Sequence, residues 1–180
     1  SDSKITTIFK KADLKTIIEL KKYNLLKKQS FIEFPKQGLS ELNPITNTIK
    51  KLSGGLLLID YGFLKQQSKS TLQSVKNHKQ NMMFNNVGNA DITSLVNFNL
   101  LENYLKIKKL KTNNVVTQEF FLKKMGIINR SEMLSQKMNF KEKSDLYLRL
   151  QRLLNPKQMG NLFKVISAFK LKKKFLLGFI

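Results

Sequence analysis

One short, unalternating apolar run that ends in a carboxylate, Gly55-Leu56-Leu57-Leu58-Ile59-Asp60, constrains this chain more than any other feature. Consecutive side chains of a strand point to opposite faces, so a run of four large apolar residues predicts a strand covered on both sides. Strands of that kind belong to parallel sheets sandwiched by helices. Ligands of such open sheets bind outside the carboxyl ends of the strands. Asp60 and the Tyr61-Gly62 that follows then stand at an edge suited to chemistry.

The flanking sequence extends this picture. Phe31-Ile32-Glu33-Phe34 reads as a short strand stopped by Pro35. Gly38 opens a turn, and Leu42, Ile45, Ile49 and Leu52 follow at helical spacing with Pro44 in the first turn. Gly54-Gly55 closes that helix. Strand, helix, strand over 31–60 is a βαβ unit and favours a parallel sheet. Residues 62–90 are polar and without period, a long loop in which Thr71–Val75 is the one strand-like piece.

Beyond it lies a helical region. Asn97 caps a helix with Phe98, Leu101, Tyr104 and Leu105 on one face. Thr117, Phe120, Phe121 and Met125 mark a second helix stopped at Gly126, and a third spans Ser131 to about Met138. Leu146, Tyr147, Leu150, Leu153 and Leu154 form the stripe of a fourth, ended before Pro156. Leu162–Phe169 reads as a final strand. The expected organisation is a lysine-rich lead-in over 1–30, a folded body over 31–170 with helices over about 97–155, and a basic, apolar tail over 171–180. That tail is expected to fray or to pack on a partner segment.

Composition bounds the function. With 41% hydrophobic residues and 13 Phe, the chain has the material for a core. The absence of Cys excludes disulfides, thiolate metal sites and a Cys nucleophile. The formal net charge is +21, which points to a polyanion partner or to base composition. Arg occurs only at Arg130, Arg149 and Arg152, while Lys is spread along the chain among many Asn and Ile. That is the usage of an AT-rich genome, and nucleic-acid readers lean on Arg. A basic binding or scaffold module, taking nucleic acid or protein without catalysis, therefore stands as the alternative function. No apolar run approaches the ~20 residues of a membrane span. Ser1-Asp2-Ser3-Lys4 carries neither initiator Met nor signal pattern, so the chain reads as cut from something longer.

Catalytic motifs are sparse. One His, no Cys and scattered acids give no metal-ligand spacing. No Gly-x-Ser-x-Gly elbow accompanies His78, and no phosphate-cradling loop occurs. Gly54-Gly55 precedes a strand, the wrong order for a dinucleotide loop. The 60–94 segment, with Asp60, Tyr61, His78, Asp91 and Thr93, is the best candidate site. The structural alternative is that Asp60 caps neighbouring amides and Asp91 anchors the turn around Gly88-Asn89.

Several ordered segments carry a family resemblance. Leu58-Ile59-Asp60-Tyr61-Gly62, Thr71–Lys79 with His78 inside it, Gly88-Asn89-Ala90-Asp91-Ile92-Thr93 and Val96-Asn97-Phe98 together resemble the MidA-like methyltransferases. Val116-Thr117-Gln118-Glu119-Phe120-Phe121-Leu122 and Met159-Gly160 followed by Phe163-Lys164-Val165 agree in order and spacing. The chain departs from the family at Asn77, Val87-Gly88-Asn89 and Asn97, and the family's glycine-rich donor loop has no counterpart in it.

The resemblance implies an α/β fold, the C-terminal portion of a Rossmann-like methyltransferase sheet with a helical insertion between its last two strands. It implies S-adenosyl-L-methionine as donor, beside the absence of a metal site expected from the residues, and a protein arginine as acceptor, on a subunit of respiratory complex I. It places the protein in a bacterial cytoplasm or a mitochondrial matrix. On this reading Asp60 and Tyr61 line the acceptor side as catalytic residues, and His78, Asp91 and Thr93 bind substrate. Residues 1–180 alone are expected neither to bind the donor nor to turn over.

Overall fold

A computed structural model describes residues 8–26, 31–65, 67–170 and 177–180. The chain divides into two compact units, Ser1–Phe34 with Gln66–Leu95, and Pro35–Lys65 with Val96–Ile180.

The smaller unit begins with helix α1 (Leu14–Lys22), capped by Asp13, whose carboxylate accepts the Thr16 amide at 2.6 Å. Leu20, Tyr23 and Leu25 are its buried apolar residues. Its sheet is antiparallel, in the order β3 (Lys79–Asn81), β2 (Gln73–Lys76), β4 (Asp91–Thr93). Asn77 and His78 link β2 to β3, both with positive φ (50° and 61°). That geometry matches the right-handed twist of a two-residue hairpin. The segment read from sequence as a long loop is therefore a small sheet. Its strands are short and mostly polar, without an apolar period, so nothing in the local sequence announces them.

Phe31–Phe34 is not a strand. The segment is held by Glu33, whose carboxylate accepts from Ser70 Oγ (3.0 Å), Thr71 N (2.8 Å) and Thr71 Oγ1 (2.6 Å). Thr71 Oγ1 in turn accepts the Leu95 amide at 2.9 Å. Burial works to raise the Glu33 pKa, but the hydrogen bonds from Thr71 and Ser70 outweigh it and hold the carboxyl below its ordinary value.

The larger unit is built on α2 (Lys36–Leu52), β1 (Gly55–Phe63), β5 (Val96–Asn97), α3 (Phe98–Ile107), β6 (Lys111–Thr112), β7 (Val116–Thr117), α4 (Gln118–Lys124), α5 (Ile127–Ser135), α6 (Phe140–Leu154), α7 (Met159–Leu162) and β8 (Phe163–Phe169). Helix α2 starts earlier than its apolar spacing predicts, so Gly38 and Pro44 both lie inside it. It ends at Ser53 in the left-handed region (φ 53°), with the Gly54 amide donating to the Ile49 carbonyl. The predicted cap holds, with Asn97 accepting the Leu100 amide at 3.0 Å; Thr117 also proves to be a cap, its Oγ1 accepting the Phe120 amide. Asn139 and Glu142 form a reciprocal capping box on α6.

The main sheet is mixed, in the order β5-β1-β8-β6, with β7 also on β8. The dominant pairing, β1 with β8, is antiparallel, and β1 meets β5 in parallel only at Gly62 and Phe63. The all-parallel expectation from a βαβ unit over 31–60 therefore fails, because no strand precedes α2 among the described residues and the partner of β1 lies a hundred residues onward. Along the rest of that side, Gly55–Tyr61 carries no described strand.

Strand β8 is the buried centre: Val165–Phe169 are all buried. Helix α3 covers one face with Phe98, Leu100, Tyr104 and Leu105, and the Tyr104 hydroxyl donates to the Leu39 carbonyl of α2 at 3.0 Å. On the other face Val165 packs with Phe121 and Phe179. Phe179 gives the end of the tail a packed position, while residues 171–176 lie outside the described residues.

Candidate functional site

Strand β1 is not covered on both faces. Leu57, Ile59 and Tyr61, which alternate onto one side, are 46%, 43% and 44% exposed, whereas Leu56 and Leu58 are half-buried on the other. The chemistry of β1 is set by this alternation, since Asp60 and Tyr61 open onto opposite faces.

On the Asp60 face lies a cavity of about 330 Å³. Its wall from α2 is Gly38, Glu41, Leu42 and Ile45, spaced so that all four share one helix face. Leu58, Ile59 and Asp60 of β1 and Val96, Phe98 and Leu101 complete it. Glu41 and Asp60 supply the only charged groups of this lining, both carboxylates. Asp60 is exposed, and its Oδ1 accepts the Tyr61 amide at 2.7 Å, so one of the two sequence-based readings, amide capping, holds for one oxygen. Glu41 Oε1 accepts from Gln37 Nε2 at 3.0 Å. Each carboxylate keeps lone pairs for a ligand. Lys164 faces Asp60 in register on β8, but its amine donates to the Asn161 carbonyl, and burial lowers its pKa.

Gly62 fixes the end of this wall. A Cβ there would stand 2.5 Å from the Phe98 ring and from the Val96 carbonyl oxygen, so only glycine lets β1 and β5 meet.

On the opposite face Tyr61 stacks at a tilt on Phe163, with ring centroids 4.0 Å apart. It floors a cleft of about 450 Å³ with Leu148, Gln151 and Arg152 of α6 and Lys157, Gln158, Met159 and Leu162 beyond it. Gly160, where a Cβ would collide with the Leu154 carbonyl, holds α7 tight against the end of α6.

The other sequence candidates fall in the smaller unit. His78 is an exposed hairpin-turn residue, Asp91 is exposed opposite Val75, and Thr93 Oγ1 accepts from Gln73 Nε2 at 3.1 Å. The hairpin sheet brings these three into one unit and Asp60 and Tyr61 belong to the other. Sequence reading missed Glu41 and Arg152. The available signal was a charged residue inside an apolar helical face: Glu41 between Gly38 and Leu42-Ile45, and Arg152 four residues after Leu148. No group of acids and histidines suited to a metal occurs among the described residues.

Comparison with known proteins is consistent with this architecture. Residues 3–116 match the model of a family described as putative S-adenosyl-L-methionine-dependent methyltransferases. The mitochondrial protein arginine methyltransferase NDUFAF7 of Xenopus tropicalis is 31% identical over 133 residues, covering 71% of this chain and 29% of that protein. The Caenorhabditis elegans homolog is 29% identical over 143 residues, covering 79% and 33%. This chain thus spans about three tenths of the length of the curated relatives it matches. An uncharacterised Burkholderia thailandensis protein shares the fold with a TM-score of 0.62 at 24% identity, over 74% of this chain and 39% of its own. A second Burkholderia thailandensis protein, bound to S-adenosyl-homocysteine, has a TM-score of 0.57 at 22% identity, over 71% of this chain and 36% of its own.

Proposed function

The chain belongs to the S-adenosyl-L-methionine-dependent methyltransferase family, and from that membership we propose that its protein methylates arginine side chains of another protein. The observation that carries the reading is the pair of carboxylates, Glu41 and Asp60, in one otherwise apolar cavity beside β1. A guanidinium presents a rigid fork of donors that suits carboxylate oxygens, and apolar walls strengthen that attraction by excluding water. Asp60 would orient the acceptor nitrogen and stabilise positive charge as it builds there, and Glu41 would hold the far side of the fork. Tyr61 fixes the position of Asp60 through its amide.

The donor is assigned no contact by this chain's residues. Gly54-Gly55 precedes β1, and no glycine-rich turn joins a strand to a helix among the described residues. On the same reading the sheet is the C-terminal portion of a Rossmann-like methyltransferase sheet. His78, Asp91 and Thr93 offer exposed polar contacts to the substrate, a complex I subunit in the mitochondrial matrix.

The test is Asp60→Ala in the full-length protein, with methyl transfer to a protein arginine as readout. We expect transfer to fall about 100-fold, as when one preorganised charge partner is removed, with the melting temperature unchanged. Unchanged turnover would end the assignment.

A further inference from the structure

We propose that the cleft on the Tyr61 face is a docking site for an acidic segment of the substrate protein. The proposal rests on the methyltransferase reading for the identity of that partner. The cleft's charged groups are Arg152 and Lys157, with no carboxylate in the lining. Neither cation is in an ion pair among the described residues. Two exposed cations beside an apolar floor (Tyr61, Leu148, Met159 and Leu162) make a place where a carboxylate gains a partner while its neighbours bury apolar surface. Gln151 and Gln158 add amides that both donate and accept, which suits the peptide groups of an extended chain.

The same lining disfavours a nucleic acid. Single-stranded binding needs aromatic platforms and a row of cations along the backbone. Here the one aromatic ring already stacks on Phe163, and the cations are two.

The position ties the cleft to the acceptor cavity. Asp60 and Tyr61 are consecutive, so the two openings flank one strand. An extended peptide advances about 3.3 Å per residue, so one segment of a dozen residues, about 40 Å when extended, can carry both the arginine and its acidic neighbours.

The experiment measures fluorescence anisotropy of three labelled probes on the full-length protein. The probes are a 12-residue peptide with one Arg and Glu residues four to six positions later, its Glu-to-Gln counterpart, and oligothymidylate of 12 nucleotides. The acidic peptide is expected to bind tightest. Arg152→Glu with Lys157→Glu should weaken it about tenfold or more and leave the Gln peptide unaffected. Arg152→Gln with Lys157→Gln guards against misfolding and should give a smaller loss in the same direction. Reversal of the exposed pair Lys10 and Lys11 to Glu changes net charge equally and should weaken binding less than threefold.

Equal losses from both reversals would overturn the proposal in favour of overall charge. So would oligothymidylate that displaces the peptide and loses affinity with Arg152 and Lys157. Because the readout needs no turnover, peptide docking without methyl transfer would refute the methyltransferase reading alone. Transfer that proceeds with peptide affinity indifferent to Arg152 and Lys157 would refute the docking site alone.

Discussion

Two carboxylates, one in each unit, separate architecture from chemistry. Glu33 in the smaller unit accepts from three groups, Ser70 Oγ and the amide and hydroxyl of Thr71. Among the described residues, Asp60 in the larger unit accepts only the amide of the residue after it, and it lines a cavity shared with Glu41. A carboxylate whose oxygens are already engaged by its own fold has little left for a ligand. One that is nearly unengaged in a concave, mostly apolar place has most of its capacity to give. Counting the donors around a carboxylate is thus more informative than its place in the sequence.

The largest test of this contrast removes the wall on which Asp60 depends. Gly62→Ala would force a Cβ into the Phe98 ring and the Val96 carbonyl oxygen, and should cost about 3 kcal/mol or more by urea unfolding. A change below about 0.5 kcal/mol would show that the β1–β5 contact does not brace the cavity.

Glu33 comes next. Glu33→Gln keeps the shape but trades charge-assisted bonds for neutral ones, and should cost about 1–2 kcal/mol at pH 7. The native pH profile should show why. The folded pKa of Glu33 lies below its ordinary value of 4.5, so its contribution is complete above that value and is lost as the pH falls through the folded pKa. Melting temperatures from pH 7 down to pH 3 should drop more steeply for the native protein than for Glu33→Gln, and parallel curves would break the contrast.

The smallest effect belongs to Asp60. Asp60→Asn should shift stability by no more than about 0.5 kcal/mol, since the side chain is exposed and, among the described residues, bonds only its neighbour. A larger loss would make Asp60 a structural residue like Glu33.

The pattern of what the sequence disclosed follows the range of the forces involved. Local signals were legible: the cap at Asn97 and the stripe of α6 ending before Pro156 form as read, and the final strand read as Leu162–Phe169 forms over Phe163–Phe169. Pairing was not. Nothing near Leu56–Ile59 announces that its partner is Val165–Ala168 and antiparallel, or that one face stays open. Phe31–Phe34 looked like a strand because its anchor, Thr71, lies 38 residues away from Glu33. The candidate site was half legible. A carboxylate after an apolar run drew attention to Asp60, but Glu41 enters the cavity only because α2 begins at Lys36 and turns that face toward β1. His78 attracted notice as the lone histidine, yet a two-residue turn with both φ angles positive accounts for its position.

The open side of β1 carries a consequence for handling the protein. Among the described residues, Gly55–Tyr61 has no strand partner on the side away from β8, and this side lies beside exposed Leu57 and Ile59, a ready template for another copy to add a strand. Mutual repulsion between molecules of charge +21 opposes that encounter in dilute buffer. Salt shortens the reach of this repulsion to about 3 Å at 1 M, while leaving edge hydrogen bonding and apolar contact in force. High ionic strength, the usual remedy for a basic protein that clings to other molecules, should therefore drive this one into self-association.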